Sequence, residues 1–508
     1  MLARIPTCTL VGVDATLVHV EVHLTTGLPS FSIVGLAHSA VREGRERVAA
    51  ALSNSGFTVP LRRITVNLAP ADLRKTGSGF DLAIALGVLN CSGQLRTVRS
   101  LTDTLVLGEL SLNGGVRAVP GVISGAMLAR QNGIQRVVVP LANAHEARMV
   151  QGIEVWGVTS LEMLAEALSH DRRPTARAAP RTPTQPGVGG PDLSDVRGHR
   201  VARRALEICA AGGHNLLLTG APGIGKTMLA KCLPSILPGL SADEELEVAR
   251  IRSAASESTL GITSARPFRA PHHTISYAGL VGGGRRLQPG EITMAHCGVL
   301  FLDELPEFDR RALESLRQPL EEGLVTLVRA EARTQLPARF VLVGAMNPCP
   351  CGYRGDGTDR CRCDDRVLER YRRRVSGPLI DRIDVRVDMI MPDCLPLDLE
   401  AINESSADVR ARVEEARRRQ AWRSSGSQEF QLDRETGPAN TRDGLGPDRG
   451  GLRLLRAHHA RSRLSPRGVD RVLRVSRTIA DLEGGERVLE RHVAEALHYR
   501  SCDGLRPD

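Results

Sequence analysis

One stretch limits what this chain can become more than any other: Gly220-Ala221-Pro222-Gly223-Ile224-Gly225-Lys226-Thr227, set between an apolar run at 215–219 and a helical run at 228–233. The order strand, glycine-rich loop, helix is what gives the pattern G-x-x-x-x-G-K-[ST] a physical meaning. The glycines let backbone N–H groups close on phosphate oxygens, and the helix N-terminus adds its partial positive charge. Lys226 is placed to reach the β- and γ-phosphates, and Thr227 to hold Mg²⁺ through its hydroxyl. A glycine-rich turn that binds nothing is the bland alternative, and the complete motif with both flanks disfavours it. The chain is expected to bind a nucleoside triphosphate.

Composition narrows the class. A length of 508 residues is room for three or four domains. Aromatic residues make up 3% of the chain, which argues against a surface built of stacking platforms for single-stranded bases. No apolar run is long enough to span a bilayer, and the first twenty residues lack a signal-peptide core, so a cytoplasmic location is expected. The net charge of +9 permits an anionic partner, although an arginine-rich composition explains it as well. An odd count of 11 cysteines in such a chain does not suggest a disulfide framework.

Read in order, residues 1–169 predict an α+β domain. Strands are expected at 16–24, 31–34 and 62–68 and helices at 40–55 and 80–89. A hairpin is expected over 105–112, turned by Asn113-Gly114. Residues 170–191 hold Pro174, Pro180, Pro183, Pro186 and Pro191 and almost no large apolar side chain, as in an unstructured linker. Residues 192–395 alternate strands and helices and imply a mostly parallel sheet. Within them a helix over 241–255 should be capped by Ser241 with Glu244. Another helix is expected over 309–322, and strands 325–328 and 340–344 read as a hairpin. Residues 396–508 read as helical, interrupted by a polar, glycine-rich stretch at 424–451.

The apolar run 299–302 ends in Asp303-Glu304. A buried parallel strand would carry Asp303 to its carboxyl end beside the P-loop, where α/β sheets bind ligands. Asp303 would help hold Mg²⁺ and Glu304 would polarise the attacking water. Asn347, at the tip of a further apolar strand, is a candidate for positioning that water or sensing the γ-phosphate; a turn asparagine before Pro348 is the plainer reading. Cys349, Cys351, Cys361 and Cys363 form C-x-C…C-x-C, which could close a tetrahedral zinc site, with free or redox-labile thiols as the alternative.

Together with Ser376-Gly377-Pro378-Leu379-Ile380-Asp381-Arg382-Ile383-Asp384, these features resemble the helix-2-insert group of AAA+ ATPases. Within that group the chain resembles the magnesium-chelatase-like ComM/YifB family. Arg266-Pro267-Phe268-Arg269-Ala270-Pro271-His272-His273 and Asn347-Pro348-Cys349-Pro350-Cys351-Gly352 are among the stretches that carry the likeness, which covers nearly the whole chain apart from the proline-rich linker.

The resemblance implies a P-loop α/β core, an N-terminal Lon-protease-like (ribosomal S5-like) domain and a C-terminal helical lid. It also implies a hexameric ring with ATP bound between subunits. Arg382 maps onto the arginine given in trans to a neighbour's γ-phosphate, and Arg467 onto the sensor arginine of the lid. Ser78 lies near the position of a peptidase serine, but residues 119–124 contain no lysine for a Ser–Lys pair, so a scaffold without peptidase activity is expected.

The function implied is an ATP-driven motor on DNA, with branch migration or helicase-like activity in recombination or natural transformation. A protein-remodelling or metal-chelatase motor is the alternative. Phosphate contacts are expected from Arg269, His272, His273, Arg285 and Arg286, whereas the arginines at 410–423 read as a salt-bridged helix face.

Overall fold

The computed structural model describes residues 2–36, 39–174, 190–255, 257, 265–284, 287–329, 332–355, 360–390, 403–424, 446–462 and 464–500. Residues 175–189 of the expected proline-rich linker, residues 425–445 of the polar stretch expected at 424–451 and the pair Arg285-Arg286 lie outside these residues, while residues 449–451, expected in that polar stretch, are helical.

The chain begins with β1 (Leu2–Val11), which pairs antiparallel along its length with β2 (Asp14–Thr25). Then come β3 (Ser30–Val34), α1 (Ser39–Asn54), β4 (Arg63–Ala69) and the apolar helix α2 (Asp81–Cys91), giving a sheet of order β1-β2-β4-β3. β1 has no two-residue period because both its faces are covered. Ile5 joins the core formed with α2, whereas Cys8 joins a second core with Leu105 and Val137. Its Pro6 is tolerated because β1 is an edge strand.

The expected hairpin over 105–112 is split. β5 (Thr104–Val106) enters a parallel sheet with β8 (Arg136–Pro140) and β9 (Glu154–Val158), while β6 (Glu109–Leu110) turns back on β7 (Val116–Arg117). The break falls at Gly108, where a Cβ would stand 2.9 Å from Leu82 at the start of α2. Helices α3 (Val122–Gln131), α4 (Ala144–Ala147) and α5 (Leu161–His170) complete this part.

The second part holds α6 (Arg200–Gly212), β10 (Leu216–Gly220), α7 (Lys226–Ile236), α8 (Ala242–Ala254), β11 (Phe268–Arg269), α9 (Tyr277–Val281), β12 (Gly282–Gly283), β13 (Gln288–Pro289) and α10 (Glu291–Met294). It continues through β14 (Val299–Leu302), α11 (Arg310–Glu314), α12 (Arg317–Glu322), β15 (Leu324–Arg329), β16 (Ala332–Pro337), β17 (Val341–Met346), α13 (Asp365–Arg372), α14 (Gly377–Ile380) and β18 (Val385–Met389). Five strands make an all-parallel sheet of order β11-β14-β17-β10-β18. The cap on α8 forms as expected: Ser241 Oγ accepts from Glu244 N at 3.2 Å and Glu244 Oε2 from Ser241 N at 2.9 Å.

Two expectations are corrected here. Residues 340–344 do not pair with 325–328; β15 takes β16 as its hairpin partner, and β17 lies in the middle of the parallel sheet. All six residues of β17 are buried, as its unbroken apolar run requires. The helix expected over 309–322 is two short helices, because Pro319 lacks an N–H and its ring crowds the carbonyl of Ser315, at the break.

Four helices follow among the described residues: α15 (Ser406–Ser424), α16 (Arg449–Ser462), α17 (Pro466–Leu482) and α18 (Glu490–His498). They share one core with the sheet: Val413, Val475, Ile479 and Val493 pack in the same cluster as Leu218, Val343 and Val387. The N-terminal part is likewise joined to the sheet. At the β1–β2 turn Val13 is fully buried in a cluster with Leu302, Leu336 and Leu342, and its carbonyl accepts from Ser124 Oγ at 2.6 Å. Gly12, at φ +69°, lies so close to Leu336 and Thr334 that a Cβ would stand 2.8 Å from the leucine. Buried Ser253, in α8, donates through Oγ to Glu146 at 3.0 Å and accepts from Gly121 N through its carbonyl at 3.0 Å.

Candidate nucleotide-hydrolysis site

The central strands end side by side, so the tips of β10, β14 and β17 deliver the loop 220–227, the pair Asp303-Glu304 and Asn347 to one edge of the sheet. Gly223 at φ +78° and Gly225 at φ +100° hold the left-handed conformation that the loop needs, and a Cβ on either would meet nothing within 4 Å. The loop therefore faces open space with its backbone amides, ahead of the N-terminus of the eleven-residue α7. That cradle fits a polyphosphate.

Lys226 Nζ donates to Gly220 O at 2.5 Å, Ala221 O at 3.0 Å and Asn347 Oδ1 at 3.0 Å. Burial pushes its ammonium below the ordinary lysine value, while Asp303 and Glu304 act to raise it. The chain has three lysines, Lys75, Lys226 and Lys231, among its 67 basic residues. One of the three thus stands where a compact point charge, rather than a planar guanidinium, suits a phosphate.

Thr227 Oγ1 donates to Asp303 Oδ2 at 2.8 Å, which places a hydroxyl and a carboxylate together as hard oxygen ligands for Mg²⁺. Glu304 sits beside them in a left-handed conformation, φ 52°, unusual for a side chain of its size, with its N–H donating to Asp303 Oδ1 at 2.9 Å.

The cysteines do converge. The Sγ atoms of Cys349, Cys351, Cys361 and Cys363 all lie within 4.8 Å of one another, with Cys349 to Cys361 at 3.8 Å and Cys351 to Cys361 at 3.7 Å. A tetrahedral zinc with Zn–S of about 2.3 Å sets its sulfurs about 3.8 Å apart, so the donor set fits that ion. The loop carrying them leans on the nucleotide cradle: Gly352, at φ +85°, packs so closely on Pro222 that a Cβ would stand 2.7 Å away. Cys8, Cys91, Cys209 and Cys232 are buried packing residues.

Arg382 and Arg467 are not with this group. Arg382 donates to Pro378 O at 2.7 Å and to Glu321, and Arg467 stands 3.9 Å from the same Glu321 carboxylate. The two arginines therefore share one anionic point, away from Lys226. Asn215 ties that segment to the sheet: its Nδ2 donates to Arg382 O at 3.0 Å, its Oδ1 accepts from Leu342 N at 3.0 Å, and its N–H donates to Asp384 at 3.0 Å.

Of the residues expected to contact phosphates, Arg269, His272 and His273 lie among the described residues. Arg269 is bound by Glu291 at 2.6 and 2.7 Å and by Glu257 at 3.4 Å, so its fork is taken up inside the protein. His273 faces Glu304, at 3.1 Å. The arginines of α15 are engaged as expected: Arg412 with Glu207 and Glu404, and Arg423 with Asp481. In the N-terminal part Ser78 Oγ donates to Glu109, and the buried Lys75 donates to Pro70 O. Sequence reasoning missed Glu321 and the contact of His273 with Glu304. The first has no motif at all, whereas the second lies in the distinctive stretch 266–273.

Models of magnesium chelatase subunit ChlI match three successive segments: residues 20–143, 192–394 and, for the C-terminal part of ChlI, 403–500. An uncharacterised protein of Mycobacterium tuberculosis (strain H37Rv) is 43% identical over 97% of this chain and 98% of its own. The uncharacterised protein YifB of Escherichia coli K12 is 41% identical over 99% and 98%. The competence protein ComM of Haemophilus influenzae is 42% identical over 96% of each. With likeness of that depth running almost end to end, and with a P-loop, an Asp-Glu strand end and a strand-tip asparagine assembled at one sheet edge, the chain belongs to the ComM/YifB family of magnesium-chelatase-like AAA+ ATPases.

Proposed function

We propose that the chain is an ATP-hydrolysing motor that assembles into a ring, a hexamer, and acts on DNA, with branch migration or helicase-like activity in recombination or natural transformation. The observation that carries hydrolysis is the meeting of Lys226 with Asn347 and of Thr227 with Asp303, with Glu304 one residue further on. In this reading the loop 220–227 holds the phosphates and Thr227 with Asp303 holds Mg²⁺, which neutralises charge on the phosphates when bound. Glu304 takes the proton of the attacking water, and Asn347 orients that water or reads the γ-phosphate. Arg382 and Arg467, gathered on Glu321 away from this edge, serve the site of the adjoining subunit.

The DNA part of the reading is supported by the name of the Haemophilus relative, a competence protein, and by the net charge of +9. The N-terminal part is read as a Lon-protease-like scaffold without peptidase activity, consistent with Lys75 donating to Pro70 O rather than to Ser78. Covalent capture of Ser78 by a serine-directed probe would overturn that. The C-terminal helices are read as the lid, and the four cysteines as a zinc site.

The test is ATP turnover with and without branched or single-stranded DNA across a salt series, beside a strand-displacement assay. Stimulation lost at high salt, and displacement abolished in Glu304→Gln, are the expected results. A motor that remodels a protein or inserts a metal is the second reading, favoured by the chelatase models that match all three segments. It gains if DNA neither binds nor stimulates.

A further inference from the structure

The N-terminal part meets the second part around a cavity of about 120 Å³. Gly12 of the β1–β2 turn, Leu107, Val119 and Pro120 line it from one side, Ala254 at the end of α8 and Gln288 in β13 from the other. Two ties between the parts stand at its rim. Gly121, next to Pro120, donates its N–H to the carbonyl of Ser253, next to Ala254, and Gly12 packs on Leu336 and Thr334. Leu10, Phe80 and Cys8 add apolar wall, and burial pushes the Cys8 thiol up to about 12, which keeps it neutral. Three oxygen-bearing side chains complete the lining. Ser78 Oγ donates to Glu109, and Thr9, only 3% exposed, has an Oγ1 with no hydrogen-bond partner among the described residues. Glu109 is the one charged side chain among the described residues that line the cavity. Its ion pair with the largely exposed Arg117 is 3.9 Å long, and Arg47, the other arginine nearby, is held by Asp81 at 2.8 and 3.2 Å.

We infer that this cavity is a binding site for a small organic amine, a primary ammonium on a short apolar stem. A single water needs about 10–15 Å³ of such space, so the room suits a molecule of several heavy atoms. Few polar groups on a largely apolar wall is the make-up of a ligand site. A carboxylate in that setting selects a cation and rejects an anion. An ammonium brings three donors and no acceptor, which matches the Glu109 carboxylate, the lone pairs of Ser78 Oγ and the unpartnered Thr9 Oγ1. A guanidinium is planar and wider, and its fork finds one carboxylate here already engaged by Ser78. The stem has Leu107 and Val119 to lie against. A molecule in this place touches β1 together with the end of α8 and β13, so its binding holds the two parts to each other.

The full chain, without nucleotide or DNA, is titrated with n-butylamine by isothermal calorimetry at neutral pH and constant ionic strength. Butanol and butyrate serve as the neutral and anionic molecules of similar size. Butylamine is expected to bind saturably at one site per chain and to raise the midpoint of thermal unfolding. Butanol should bind at least about tenfold more weakly, the scale of a hydrogen bond to a charged group, and butyrate should not bind. Glu109→Gln should lose about the same factor for butylamine. Thr9→Val should weaken it about three- to tenfold, yet unfold without ligand at the wild-type temperature or above, because the hydroxyl it removes serves nothing within the protein. Gly79→Leu grows a side chain from the lining at a position whose Cβ would have Val119, at 3.9 Å, as its nearest neighbour, and should abolish binding. It takes the place of Glu109→Gln if that variant does not fold. No saturable binding of butylamine, equal binding of butanol, or undiminished binding in a folded Glu109→Gln or Gly79→Leu overturns the inference. None of these readouts depends on ATP turnover, so the motor reading stands or falls separately.

Discussion

Lys226 and Asn347 meet across the mouth of the loop, so the residue proposed to grip a phosphate is already in contact with the one proposed to sense it. Separating the two roles is a matter of kinetics. Glu304→Gln is expected to retain nucleotide in a filter-binding assay while turnover falls by about 10²–10⁴, the scale of general-base catalysis. Lys226→Ala should lose the nucleotide itself. Lys226, Thr227, Asp303 and Glu304 were readable in sequence because each belongs to a short pattern whose chemistry needs that residue at that spacing. Glu321 was not, because its meaning comes from Arg382 and Arg467, distant in the chain and brought together only by the fold. The ion pairs of Arg269 were hidden for the complementary reason: composition shows an arginine but not the carboxylates of Glu257 and Glu291 that engage it.

Elements were legible where a local rule decides them. The capping box on α8 is one, and Ser241→Ala should cost about 1 kcal/mol, seen as a lower midpoint of thermal unfolding. Elements were misplaced where tertiary covering hides the period. β17 is buried on both faces throughout and β1 over residues 5–9, and nothing local says which partner each will take. The β1–β2 turn shows what that covering achieves. Val13 enters the core shared by β14 and β17, the strands that carry Glu304 and Asn347. Val13→Asp would bury an uncompensated charge there, at a cost of several kcal/mol. We expect the N-terminal part then to melt apart from the rest in calorimetry, where wild type gives one transition.

At the scale of the whole molecule the proposed function makes the site a divided one. With Arg382 and Arg467 held on Glu321, away from the loop, hydrolysis should require a neighbour. Lys226→Ala and Arg382→Ala proteins, each inactive alone, should recover part of the turnover when mixed, since an arginine supplied in trans is worth about 10³–10⁵ in rate. The cysteine cluster adds a second condition. One zinc per chain is expected by native mass spectrometry, lost in Cys361→Ser. Removal by a chelator should weaken nucleotide binding, because the loop that would lose its shape is the one whose Gly352 packs on Pro222.

The scarcity of lysine carries one more consequence. Apart from its α-amino group the chain offers three amines to an acylating reagent: Lys231 is exposed, Lys75 is fully buried and Lys226 is engaged at the loop. A mild lysine-directed label should therefore mark Lys231 rapidly and Lys226 slowly. Because bound triphosphate would cover only the second, the ratio of the two tryptic signals becomes an occupancy gauge for the nucleotide site. It needs no engineered probe and can be read on the intact assembly.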